Sequence, residues 1–101
     1  MQLEITPTEA GFRLEGELDI ATADDLSKVL RDAVADKERD PVELEFSGVS
    51  FMDSSGLRAL LEAAGLLNGN GSFVILNPST QVRRVLDISI PGGTPGLEVR
   101  G

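Results

Sequence analysis

Val42-Glu43-Leu44-Glu45-Phe46, Ser47-Gly48-Val49-Ser50-Phe51-Met52 and Asp53-Ser54-Ser55-Gly56-Leu57 run consecutively and decide the fold. Alternation in the first five residues turns Val42, Leu44 and Phe46 to one side, the pattern of a half-buried strand. From Leu57 the period changes. Leu57, Leu60, Leu61, Ala64 and Leu67 recur at helical spacing, so an amphipathic helix follows. Asn68-Gly69-Asn70-Gly71, residues that tolerate left-handed backbone, close it. Ser72-Phe73-Val74-Ile75-Leu76 is then a strand apolar enough to be buried on both faces. Strand, helix and strand in that order predict a crossover onto a parallel sheet.

The pattern extends outward on both sides. Upstream, Leu3-Glu4-Ile5 and Phe12-Arg13-Leu14-Glu15-Gly16-Glu17-Leu18 alternate around the turn Pro7-Thr8-Glu9-Ala10-Gly11, which reads as two strands joined by a tight loop. Leu26, Val29, Leu30, Ala33 and Val34 then mark a first helix. Thr22 reads as its cap, Asp25 as the far half of a capping-box-like pair, and Asp24 as charge in the positive first turn. The charged run Asp36-Lys37-Glu38-Arg39-Asp40, stopped by Pro41, reads as its solvated end. Downstream, Asn77-Pro78 reads as a cap and first-turn proline of a third helix with Val82, Val85 and Leu86 inside. Residues 91–96 form a Gly/Pro loop by composition, and Leu97-Glu98-Val99 is a candidate edge strand; for 97–101 a strand and an irregular end both stay open. The expected fold is α/β: a mixed, mostly parallel sheet of four to five strands with three to four helices, the first strand antiparallel. In such a sheet the strand-to-helix turns gather on one edge, where sites form. Asp19 with Thr22, Asp53-Ser54-Ser55, and Asn77-Pro78 are expected to share it.

Composition narrows the function. A length of 101 residues predicts one domain over 1–101, and no apolar run approaches the roughly 20 residues of a membrane span. The start Met1-Gln2-Leu3-Glu4 lacks the basic and apolar stretches of a signal peptide, so a cytoplasmic location is expected. Seventeen acids against nine bases give a net charge of −8. That sign opposes binding to nucleic acid or anionic membrane. Histidine and cysteine are both absent, which removes the commonest general base, the thiol nucleophile and the usual zinc ligands. No cofactor or metal is expected.

Asp53-Ser54-Ser55-Gly56 is the sharpest local feature. Its ordinary role is a helix cap, with Asp or Ser accepting a free backbone N–H. The same position suits a phosphate, because the first-turn N–H groups and the helix dipole favour negative charge. A serine nucleophile would need a base, and no histidine exists to supply one. Lys28 lies inside the first helix, an unsuitable serine–lysine partner. Asp19 and Asp53 as an acid–base pair lack an obvious substrate pocket. Gly69-Asn70-Gly71 precedes a strand instead of following one, which fails for a phosphate loop. The chain is expected not to be an enzyme.

Two blocks carry a resemblance. Gly16-Glu17-Leu18-Asp19 with Ala21-Thr22-Ala23 and Leu26, and Phe51-Met52-Asp53-Ser54-Ser55-Gly56-Leu57, resemble the signature blocks of the STAS domain, specifically its stand-alone bacterial members, the anti-sigma-factor antagonists. The likeness runs over about residues 3 to 90. It implies partner switching in transcription regulation and stress response. The unphosphorylated antagonist binds an anti-sigma factor that is also a serine kinase and so frees the sigma factor. Phosphorylation ends binding, and a protein phosphatase resets the cycle. The resemblance makes Ser54 the phosphoacceptor, Ser55 the second hydroxyl of the motif and Asp19 an acid beside the site. Thr22, Asp53, Gly56, Leu57 and Arg58 complete the expected phosphosite neighbours and partner-binding residues, on a protein expected to be monomeric. An alternative within the same family is a STAS adaptor that takes no phosphate, in a transport or lipid-trafficking complex. A response-regulator receiver is a third reading, opposed by the lack of any lysine after Lys37. The chain departs from the family after the third helix, where Asp87-Ile88-Ser89-Ile90-Pro91-Gly92-Gly93 replaces a leucine-rich, glycine-marked turn and a firm last element.

Overall fold

In the computed structural model, which describes residues 3–35, 41–91 and 93–101, the elements follow as β1 (Leu3–Pro7), β2 (Gly11–Leu18), α1 (Ala23–Ala35), β3 (Val42–Met52), α2 (Ser54–Leu67), β4 (Phe73–Leu76), α3 (Thr80–Ser89) and β5 (Leu97–Arg100). The five strands form one sheet in sequence order. β1 runs antiparallel to β2, and every later neighbour is parallel. This is the α/β fold expected, at five strands and three helices. The open end resolves as a strand: β5 pairs with β4 from Phe73↔Leu97 to Leu76↔Arg100.

One core holds the layers together. Leu14 and Leu18 of β2, Leu44 and Phe46 of β3, and Phe73 and Ile75 of β4 are fully buried with Leu26 and Leu30 of α1, Leu60 of α2 and Val82 of α3. Burying each large aliphatic or aromatic side chain contributes about 1.5–3 kcal/mol. β4 is buried on both faces, as its unbroken apolar run requires, since Val74 is buried outside that cluster.

Three sequence expectations need correction. β3 does not stop at Phe46 but runs on to Met52. Between Arg13↔Glu45 and Glu15↔Gly48, and again between Gly16↔Val49 and Glu17↔Phe51, β3 carries one more residue than β2. Each bulge breaks the two-residue alternation, so the inward positions fall at Val42, Leu44, Phe46, Val49 and Met52. The third helix is not capped by Asn77. That residue has φ 55°, outside the extended region a cap adopts, and Ser79 (φ −64°, ψ 167°) takes the role, its Oγ accepting from Val82 N at 3.3 Å. Pro78 therefore precedes the cap. Thr22, the third case, belongs to the site. The charged run 36–40 expected to close α1 lies outside the described residues.

Candidate functional site

β2 and β3 end level with each other. Leu18 and Met52 are register partners, and Asp53 N donates to Leu18 O at 3.1 Å. Asp19 and Ser54 are the residues immediately past that tie, one beyond the end of each strand. Parallel pairing alone thus brings together two residues far apart in the chain.

The α2 start is built by Asp53. Its backbone is extended, and its Oδ1 accepts from Ser55 N at 2.9 Å and Gly56 N at 3.3 Å. Two of the donors left open at the helix start are so satisfied. Ser54 becomes the first helical residue, exposed, and its hydroxyl forms no hydrogen bond with a described residue. Gly56 is buried against the ends of both strands. A Cβ there would stand 2.9 Å from Leu18 Cβ, 3.0 Å from Leu18 O and 3.1 Å from Met52 Cγ. Only glycine lets α2 start this close to the sheet. Leu57 then anchors the first turn in the core.

The β2–α1 turn is built by two side chains bonding backwards. Asp19 Oδ1 accepts from Ala21 N at 3.0 Å, an Asx turn. Thr22 is buried, and its Oγ1 donates to Glu17 O at 2.7 Å and accepts from Asp19 N at 3.1 Å. It does not form the expected capping box, because the hydroxyl is committed to the strand end instead of the helix. Thr22 caps with its backbone carbonyl, which accepts from Asp25 N and Leu26 N. Asp24 and Asp25 stay exposed in the first turn, where the helix dipole favours them.

A groove of about 240 Å³ runs between the N-terminal halves of α1 and α2. Ile20, Asp24 and Arg31 line one side, Ser55, Arg58 and Glu62 the other. Asn77 and Pro78 do not reach this edge. β4 ends at Leu76, paired with Glu45, well short of Met52. Asn77 Nδ2 instead donates to Glu45 at 3.2 Å. Partial burial works to raise the Glu45 carboxyl, but hydrogen bonds from the Ser47 hydroxyl, the Asn77 amide and the Ser47 backbone outweigh it and hold it below the ordinary carboxylate range. The residue of that connection that does reach the site is Gln81, whose amide accepts from Met52 N and donates to Met52 O, both at 2.9 Å.

Sequence reasoning missed three residues here. Gln81 carried no signal, since a glutamine in a helix has many uses. Arg31 and Ile20 come to the groove through helix packing and loop geometry. Ile20 is 81% exposed, an apolar residue in a polar turn, and that mismatch was legible. Among the described residues, no group of three His, Cys, Asp or Glu could hold a metal ion, and no helix is long and apolar enough to cross a membrane.

Known proteins share this architecture. The STAS-domain family model matches residues 1–90. An anti-sigma F factor antagonist of Paenibacillus polymyxa is 33% identical over 78 residues, covering 76% of this chain and 67% of the relative. An anti-sigma-B factor antagonist of Staphylococcus aureus is 30% identical over 92 residues, covering 88% and 84%. Among solved structures, the unphosphorylated anti-sigma factor antagonist SpoIIAA superposes with a TM-score of 0.74 at 28% identity, over 96% of this chain and 86% of that one. The Bacillus cell fate determinant SpoIIAA in its phosphorylated form superposes with a TM-score of 0.67 at 26% identity, over 96% and 89%. A strand end tied to a capped serine helix, the five-stranded mixed sheet and these likenesses agree: the chain belongs to the STAS-domain family, among the anti-sigma-factor antagonists, which are regulators and not enzymes.

Proposed function

We propose that this chain is a monomeric, single-domain, cytoplasmic partner switch whose phosphoacceptor is Ser54. Unphosphorylated, it binds an anti-sigma factor that is also a serine kinase, and the sigma factor is released. The kinase transfers the γ-phosphoryl group of ATP to Ser54 Oγ; ADP leaves, and the hydroxyl proton passes to the kinase's own base. The phosphorylated chain then dissociates, and a separate protein phosphatase hydrolyses the ester. The observation that carries this reading is the exposed Ser54 hydroxyl, unbonded among the described residues, at the first position of α2, beside Asp53 and next to the Leu18–Asp53 tie that brings Asp19 near. A relative solved in a phosphorylated form supports it.

The energetics suit a switch. Phosphate adds about −1.5 to −2 charges beside acids already present. The helix start tolerates that charge in water. Within a packed interface it must be desolvated, and an uncompensated buried charge costs several kcal/mol. About 1.4 kcal/mol is tenfold in affinity, so one phosphate weakens binding by orders of magnitude without a conformational change. The test is intact-mass spectrometry after incubation with the cognate anti-sigma kinase and ATP. A single phosphoryl gain that Ser54→Ala abolishes is expected; a gain that survives Ser54→Ala refutes the assignment.

A further inference from the structure

We propose that Arg58 is a built-in counter-charge for the phosphoryl group on Ser54, drawing it back along α2 and at the same time withdrawing its own positive charge from the partner. This rests on the reading of Ser54 as phosphoacceptor and adds how the chain itself responds to the modification. Ser54 opens α2, and Arg58 stands four residues later, its neighbour on the helix surface. Long helical side chains lean toward the helix N-terminus and cover the preceding turn, which puts residues 54 and 55 within the sweep of the Arg58 side chain. It lines the α1–α2 groove beside Ser55.

Arg58 is exposed and forms no ion pair among the described residues. Glu62, one turn further along the same groove, does not hold it. The β2–α1 turn brings Asp19 and the α2 cap brings Asp53 to this helix start, while Asp24 and Arg31 of α1 and Glu62 of α2 line the adjoining groove with Ser55; Gln81 of α3, bonded to Met52, is neutral. Asp53 is fixed in place by its two backbone bonds and cannot turn away from a new anion. A phosphate on Ser54 therefore meets carboxylates on the loop side. Arg58 is the cation offered by its own helix, with a planar fork that matches phosphate oxygens.

The consequence is a two-part change from one modification. The unmodified chain presents the Arg58 cation at the rim of the groove. The phosphorylated chain presents an anion whose counter-charge has been taken from that same rim. A partner whose acidic group met Arg58 would lose that contact as it gained a repulsion.

The test installs phosphoserine at position 54 by genetic encoding, so that it does not depend on any kinase. The second ionisation of the phosphate, ordinarily near pH 6, is followed by phosphorus NMR titration. Arg58→Gln is expected to raise that midpoint by roughly 0.2–0.4 pH unit, as the loss of an i,i+4 ion pair should. Arg58→Lys should restore most of the shift, and Arg31→Gln should move it less. Urea midpoints of each variant show that the fold is intact. An unchanged midpoint in Arg58→Gln, or an equal or larger shift in Arg31→Gln, overturns the assignment. If kinase labelling never reaches Ser54, the phosphoacceptor reading fails separately, whatever the titration shows.

Discussion

Replacing Thr22 with valine should destabilise this protein more than replacing it with serine, although valine is the more apolar residue and the site is 2% exposed. The hydroxyl does two things at once: it donates to Glu17 O at 2.7 Å and accepts from Asp19 N at 3.1 Å. Valine keeps the shape and removes both bonds, leaving a carbonyl and an N–H without their partner. An orphaned, shielded polar group costs about 1–3 kcal/mol, so the pair should cost about 2–4 kcal/mol after partial solvation. Serine keeps the oxygen and loses one methyl group, about 1 kcal/mol. Urea unfolding followed by circular dichroism resolves the two. At slopes of about 1–3 kcal/mol/M, Thr22→Val should lower the midpoint by roughly 1–2 M and Thr22→Ser by well under 1 M. A valine variant as stable as the serine variant would refute the claim that this hydroxyl holds the β2–α1 turn. Asp19 would then owe its position to something else.

Gly56→Ala sets a helix-propensity gain of up to about 1 kcal/mol against overpacking of about 1–3 kcal/mol, because the new methyl would press on Leu18 and Met52. A lower melting temperature is expected, and a higher one contradicts the close approach of α2 to the strand ends. Glu45 gives a pH signature. Its carboxyl is held below its ordinary value near 4.5, so its stabilising contribution is complete above that value and fades as pH falls through the lowered one. The gap in urea midpoint between the parent and Glu45→Gln should therefore shrink from pH 7 to about pH 3; a constant or widening gap would show that the Ser47 and Asn77 bonds do not favour the charged form.

The sequence told the order of the elements and where the site lies, and stopped where local rules meet tertiary demands. Leu57, Leu60, Ala64 and Leu67 are buried as their spacing predicts, and Asn68 adopts the left-handed conformation (φ 53°). β3 was legible only as far as Phe46, because two bulges remove the period that identifies a strand. Thr22 followed a capping pattern whose hydroxyl was instead claimed by the preceding strand, a competition invisible without the β2 end in place. Asn77-Pro78 looked like a helix start, yet Asn77 is spent on a left-handed turn and on Glu45, and the helix begins after Ser79. Asp53, Ser54, Ser55 and Gly56 were readable as a unit, since cap, first residue and close-packed glycine all act within four positions. The groove was not, because Ile20 and Arg31 join it from another element.

The most direct measurement is the affinity of the cognate anti-sigma kinase for two forms of this chain, unmodified and carrying phosphoserine at position 54, by isothermal titration at one salt concentration. Binding at least about a hundredfold weaker is expected for the phosphorylated form, the cost of desolvating a phosphate beside Asp53 and Asp19 that one exposed arginine only partly offsets. Equal affinity for the two forms would contradict it.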